Sequence, residues 1–405
     1  MPRSLLVAGV GPKSVLRPLP LFAKGFRPFF LLAALYAVLI VPVWLAIWSG
    51  LASPGGYLPL VSWHAHEMLS GFALAVIAGF LLTAVGNWTG RETAQGASLG
   101  ALALLWVAGR VAMLASGTLP RGVVALVDLA FVPALGLCLA PPLLAARDRR
   151  NFVMLAVLGV LFATNAVVHL TALGVLEPEA AAHAHVVALD VIVLLISIIG
   201  GRVFPMFTRN ATGVSSIRSL PWLDRACLGA IAMLTCADAL APGLPQLAAL
   251  LAATAGLLAA ARALHWGARH SLRSPLLWIL HGGYAWLVIG LLLRGASGLF
   301  ALPVVGSAPL HALTVGAVGS LALGMMARVA LGHTGRMLAA PRPMALAFAA
   351  LLLSATVRVF GPWVAPSAYQ LSLLVSGALW ALGFAIFLGC YTSPLLSPRV
   401  DGKPG

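Results

Sequence analysis

Apolar runs of about 20 residues, each followed by a short polar connection, succeed one another along nearly the whole of this chain. They fall near residues 27–49, 66–87, 98–117, 122–145, 151–175, 184–204, 220–240, 245–264, 275–297, 309–331, 343–360 and 368–391. A run of that length crosses the hydrocarbon of a bilayer as an α-helix, which satisfies its own backbone hydrogen bonds where no water can. The expectation is an all-α, polytopic membrane protein with twelve transmembrane helices. Composition agrees, because 61% hydrophobic and 9% charged residues leave more apolar surface than one soluble core can cover.

The net charge of +15 raises the question of nucleic acid. The basic residues form no single patch, however. They crowd the first tail (Lys13, Arg17, Lys24) and then every second connection: Arg91; Arg147, Arg149 and Arg150; Arg209 and Arg218; Arg262, Arg269 and Arg273; Arg336 and Arg342; Arg399 and Lys403. The intervening connections carry almost none, and one carries Glu177 and Glu179. By the positive-inside bias both termini are cytoplasmic, the charge belongs to topology and lipid headgroups, and the partner is the lipid bilayer with no nucleic acid. Residues 1–20 read as a retained cytoplasmic leader, since no charged segment, short apolar stretch and small-residue cleavage site follow one another there. The four cysteines, Cys138, Cys227, Cys236 and Cys390, are dispersed, with no spacing for a disulfide frame, a zinc knuckle or covalent haem.

An internal repeat organises the runs. "HEMLSGFALAVIAGFLLTAVGNWTGR" (residues 66–91) lies without a gap over "HALTVGAVGSLALGMMARVALGHTGR" (residues 311–336). His66 meets His311, Gly71 meets Gly316, Gly79 meets Gly324, and both segments close on Thr-Gly-Arg. A fainter third copy starts at His185 and sets Thr208 at the corresponding threonine. The preceding runs also fall in step, Pro28 opposite Pro275. These are runs two, six and ten, so the period is four helices. The expected organisation is one transmembrane domain over 21–392, in three pseudo-repeats of four (21–146, 147–266, 267–392), with a cytoplasmic tail over 393–405.

With both termini inside, runs two, six and ten begin at the outer face. His64, His66 and Glu67 then lie at the mouth of run two, His183 and His185 at that of run six, and His311 at that of run ten, while His169 lies towards the outer end of run five. Imidazole inside a membrane must be paired, hydrated or metal-bound. A lone histidine at a helix mouth reads as an interfacial or capping residue; six converging from four helices point instead to haem iron or copper. Residues two apart on a helix point about 200° apart, so His64 and His66 serve different centres unless His64 precedes the regular helix. The same holds for His183 and His185. His265 and His270, among arginines, read as solvated surface groups, and His333 as a helix-end group or a ligand.

The other buried charges suit such a centre. Arg110 and Arg294 are placed to pair with haem propionates, the alternatives being a pair with Asp128 or snorkelling. Glu67 and Asp190 suit orienting ligand imidazoles or carrying protons, the alternatives being to cap a helix or to satisfy a neighbour. Pro205, in "GRVFPMF" at 201–207, is expected to end run six; the glycines there read as packing devices.

The blocks "LFAKGFRPFFLLAAL", "WHAHEMLSGFALAVIAGFLLTAVGNWTGR", "GRVFPMFTRN", "LLWILHGGYAW" and "HALTVGAVGSLALGMMARVALGHTGR" resemble the hallmark segments of the NnrS family across residues 21 to about 392. That resemblance implies a multi-pass protein of the bacterial inner membrane, carrying non-covalent b-type haem and copper and concerned with nitric oxide and nitrosative stress. Carried over by motif, it points to His64, His66, His281, His311 and His333 as metal ligands. His169 is a looser match, and His185 joins them by position alone. The three arcs of four helices also resemble the catalytic subunits of haem-copper oxidases and nitric oxide reductases, in which histidines of the second and tenth helices hold one haem. That suggests His66 and His311 here, although those proteins carry their closely spaced histidine pair on the tenth helix and this chain carries its strongest pair on the second. The expected activity is reduction of nitric oxide to nitrous oxide, with Glu67 handling protons. Non-catalytic nitric oxide sensing, or carriage of haem or copper, is the alternative. The electron donor and the oligomeric state are not legible in the sequence.

Overall fold

The computed structural model describes residues 19–53, 55–147, 149–300 and 306–403. Residues 1–18 of the expected leader, with Lys13 and Arg17, lie outside the described residues. The described residues form helices and connections with no strand. Eleven helices are long and apolar enough to cross a membrane. They are α1 (Phe26–Trp48), α2 (Leu60–Thr89), α3 (Gly96–Leu114), α4 (Arg121–Ala146), α5 (Val153–Ala172), α6 (Pro178–Thr212), α8 (Pro245–Trp266), α9 (Pro275–Phe300), α10 (Ala308–His333), α11 (Arg342–Val364) and α12 (Pro366–Leu396). The remaining expected run is the 20-residue helix α7 (Pro221–Leu240). It carries Asp224, Arg225 and Asp238, which set it apart from the others in apolar character. Two of these charges have partners inside the bundle: Asp224 faces Arg262 at 3.7 Å and Asp238 accepts from Arg294 at 2.5 Å.

Helices α2, α6 and α10 are central. Within their most apolar windows 78%, 61% and 72% of residues are buried, against at most 56% in any other candidate span. The rest surround them, and the first and last close the circle: the Arg27 guanidinium donates to Leu395 O (2.8 Å) and Ser397 O (2.7 Å), carbonyls that the end of α12 leaves unpaired. Where the three central helices meet, an apolar cavity of about 100 Å³ remains beside Phe30, Val76, Ile199 and Met325.

The repeat extends into geometry. In α2 a regular stretch, Leu60–His66, gives way to a π-helical segment, Glu67–Ala73; in α10 Ala308–His311 gives way to Ala312–Gly319. Each wide turn begins directly after the aligned histidine. The aligned glycines do the same work as well. A Cβ on Gly79 would meet Phe30 of α1 at 2.8 Å, and one on Gly324 would meet Ile279 of α9 at 2.9 Å. Both glycines let the first helix of a unit seat against the second. Both helices then end at the aligned Thr-Gly, with Gly90 and Gly335 at φ +64° and +75°. In the fainter third copy α6 has no wide turn.

One expectation is corrected. Pro205 does not end the sixth span: α6 continues to Thr212 and stops at Gly213, φ +71°. A proline strips the carbonyl four residues earlier of its donor and crowds it. That carbonyl belongs to Gly201, and Ser219 Oγ donates to it at 3.0 Å. The side chain from the following connection replaces the lost bond, so the helix survives.

Candidate metal centre and its histidine neighbours

Regular helix over Leu60–His66 puts His64 and His66 on opposite sides of α2. His66 faces α4 and α5. Its Nε2 lies 3.2 Å from Asp128 Oδ2 and its Nδ1 2.9 Å from Glu67 Oε1. His169 of α5 addresses the same Asp128 oxygen through Nε2 at 2.9 Å, and Asn165 Nδ2 donates to it at 2.8 Å. Arg110 of α3 bridges the two carboxylates, donating to Glu67 Oε2 at 2.7 Å and to Asp128 Oδ1. Tyr36 of α1 donates to Glu67 Oε2. All seven side chains are buried.

The charges do not cancel within the group. Two carboxylates and one guanidinium leave one negative charge when both imidazoles are neutral, and burying it unpaired is expensive. A proton or a metal cation placed among His66, Asp128 and His169 supplies what is missing. One ligand atom from each of these three lies within 4.8 Å of the others, the one such group among the described residues. Asn165 Oδ1 stands buried without a partner close by. Two imidazole nitrogens with a carboxylate and an amide form the donor set of an ion that accepts nitrogen and oxygen, as copper(II) does.

Tyr57, in the connection before α2, supports the group from outside. Its hydroxyl lies 2.7 Å from His169 Nδ1, and burial pushes that phenol up to about 12 against the pull of Arg121. The neutral phenol can accept from Nδ1–H, and His169 then keeps its lone pair on Nε2, the nitrogen turned to Asp128.

His64 faces the other way. Its ring stacks on Trp44 of α1 at 4.2 Å and 16°, and its Nδ1 is buried with no hydrogen-bond partner. His311 of α10 lies within electrostatic reach of it, and both lie within reach of Arg358 of α11. Ser307 joins the last two: His311 Nδ1 donates to its carbonyl at 2.7 Å, and Arg358 donates to its hydroxyl at 3.3 Å. With Nδ1 bound to a carbonyl, the neutral His311 ring keeps its lone pair on Nε2, the arrangement a metal requires. No carboxylate among the described residues pairs with Arg358.

The chain matches the NnrS protein family over residues 20–399, nearly its whole length. The chain belongs to the NnrS family. No curated protein matches it. In this NnrS protein His66 and His169 come together, and His64 and His311 share the environment of Arg358. Of the other histidines, His185 lies within electrostatic reach of His66, and the rest stand apart. His185 Nε2 meets Ser62 Oγ at 3.0 Å, and His281 Nε2 meets Thr208 Oγ1 at 3.0 Å. His333 packs its ring on Phe26 at 5.7 Å, at the opposite end of α10 from His311. Glu67 sits beside His66, while Arg110 and Arg294 each hold two carboxylates; those of Arg294 are Asp190 on α6 (2.9 Å) and Asp238 on α7.

Asp128, known from sequence only as an alternative partner for Arg110, is the centre of the first NnrS group. Tyr36, Asn165, Tyr57 and Arg358 carried no assignment. Arg358 had a signal: it stands in α11 nearly where Arg110 stands in α3 when the repeats are overlaid. Tyr36 and Asn165 are single polar residues in apolar helices and had none.

Proposed function

We propose that this NnrS protein removes nitric oxide by reducing two molecules, with two electrons and two protons, to nitrous oxide and water. It does so as a twelve-helix protein of the bacterial inner membrane, α7 included, with both termini in the cytoplasm and the histidine groups towards the outer face. The observation that carries this reading is the opposed placement of His64 and His66. Two residues apart, they face different histidines of other helices: the His66 ring lies 5.4 Å from that of His169, and His311 lies within electrostatic reach of His64.

In this reading His64 and His311 would hold haem iron, and Arg358, free of carboxylates, would receive the haem's own. His66, His169 and Asp128 would hold copper. When bound, the metals would supply redox change and a binding position for nitric oxide. The chain's residues do the rest. Trp44 fixes the plane of the His64 ring, and the Ser307 carbonyl fixes the His311 tautomer. Glu67 lies between Tyr36 and His66 and passes protons towards the ligand-bearing imidazole, while Arg110 balances the two carboxylates. The apolar cavity among α2, α6 and α10 excludes water and admits an uncharged diatomic gas.

The test is an anaerobic titration of the purified, reduced protein with nitric oxide, with an electrode recording gas loss and the haem bands followed together. Repeated consumption with haem reoxidation supports a reductase. A band shift that saturates without turnover replaces it with binding or sensing, and a folded, cofactor-replete preparation without haem bands overturns the haem assignment.

A further inference from the structure

We propose that a trough between α8 and α9 is a binding site for one anionic phospholipid, with the phosphate at its polar mouth and an acyl chain along its floor. The trough has a volume of about 690 Å³, within the roughly 300–1,000 Å³ of ligand pockets. Its floor is made of small and branched apolar residues, Ala260 on α8 and Ala285, Val288 and Ile289 on α9. Alanines on facing helices leave the space that larger side chains would fill. From His281 to Ile289 the floor runs roughly 12 Å at 1.5 Å per residue, close to the hydrocarbon depth of one leaflet, about 15 Å.

The mouth has the opposite character. His265 at the end of α8, with Arg269 and His270 from the connection between α8 and α9, line it, and no carboxylate lines any part of the trough. Arg269 is exposed, and its Nε donates to His270 Nε2 at 3.1 Å; the guanidinium's terminal nitrogens have no partner among the described residues. A cationic mouth at a helix end, opening into an apolar channel one leaflet long, complements a negatively charged headgroup carrying a chain. The three histidines of the trough do not converge on a common point as His66 and His169 do with Asp128, so a metal ion is not the occupant. Inorganic phosphate would use the mouth and leave the floor without a role. A zwitterionic lipid would use the floor but be indifferent to Arg269. The proposal is independent of the nitric oxide chemistry.

The full-length protein in mild detergent is offered equal amounts of phosphatidylglycerol and phosphatidylcholine, and retained lipid is read by native mass spectrometry. One phosphatidylglycerol is expected to be retained about tenfold over phosphatidylcholine. Arg269→Glu should bring the two to parity. Ala285→Trp, at an exposed position on the floor, should reduce retention of both, and Arg342→Glu, at the exposed start of α11, should change nothing. Equal retention by the unaltered protein overturns the proposal. So does Ala285→Trp retaining phosphatidylglycerol in full, or release of the lipid by millimolar inorganic phosphate, either of which would reduce the trough to an anion site. Should Arg269→Glu fail to fold, the Ala285→Trp comparison decides alone.

Discussion

The imidazoles of His66 and His169 stand edge to face, ring centres 5.4 Å apart and planes at 82°, with both Nε2 atoms turned to Asp128 Oδ2. Both histidines, with Asn165, serve one oxygen of this carboxylate, and its other oxygen holds Arg110. Asp128→Ala removes the acceptor shared by His66, His169, Asn165 and Arg110, while Arg110 keeps Glu67. The expected loss is about 1–3 kcal/mol of stability, as for buried donors left without an acceptor. Bound metal, measured by elemental analysis of the purified protein, should fall with it. Full metal occupancy in a folded Asp128→Ala protein would show that the ion sits elsewhere.

The opposite orientations of His64 and His66 make their substitutions separable. His64→Ala and His311→Ala should each diminish the haem absorbance while sparing the copper content. His66→Ala and His169→Ala should do the reverse. Arg294→Gln, which strands Asp190 and Asp238, should lower thermal stability and leave the haem spectrum unchanged, whereas Arg358→Gln should shift the spectrum. If His64→Ala and His66→Ala deplete the same cofactor, the two pockets are one centre and the assignment fails.

Two aligned glycines give a test of the repeat. A Cβ on Gly71 would meet the Tyr36 ring at 2.9 Å and Arg110 Nη1 at 3.2 Å; one on Gly316 would meet Trp286 at 2.6 Å. Both substitutions overpack the interface between the first two helices of a unit, at about 1–3 kcal/mol each. Only Gly71→Ala presses on the group around Glu67. Thermal unfolding should therefore report both, and metal content only the first. Equal loss of metal from Gly316→Ala would mean that the two units are mechanically coupled.

How much of this was legible beforehand depended on the kind of signal. The helices were, because twenty apolar residues in a row have few other structures open to them, and the boundaries of α2 shifted only where the polar stretch before His66 proved helical. Opposed placement of His64 and His66 followed from helical geometry once the helix proved regular through His64, which the sequence had left open. The two wide turns did not, since a π segment leaves no mark in composition; its trace was the alignment of His66 with His311, whose structural meaning the sequence does not state. Pro205 misled because its effect depends on Ser219, fourteen residues away in a connection. The pairing of Arg110 with Asp128 stood among the alternatives, but its second partner Glu67, and the partners of Arg294, were hidden for a related reason. A charge in a membrane helix announces that it has a partner, and only the packing of α3 on α4, and of α9 on α6 and α7, says which.

The end of the chain offers a prediction governed by pH. After α12, Arg399 Nη1 donates to His333 O at 3.1 Å and Val400 N to Thr334 O at 3.2 Å, laying the tail across the Thr-Gly-Arg that closes α10. Asp401 holds this strap in shape, accepting from Arg399 Nε at 2.8 Å and Nη2 at 2.6 Å and from the Lys403 backbone. Those hydrogen bonds, that from Arg399 foremost, hold the Asp401 carboxyl well below its ordinary value of 3.8. A carboxyl depressed in the folded state contributes fully above its unfolded value, and the contribution disappears as pH falls through the lower, folded one. The strap should thus persist from neutrality through pH 4 and open only below about pH 3. Amide exchange at Val400, corrected for its intrinsic pH dependence, reads this directly. Asp401→Asn should leave the Val400 amide exchanging freely even at pH 6. Protection at pH 6 that survives Asp401→Asn would mean that the backbone bond to Thr334 holds the tail without the carboxylate.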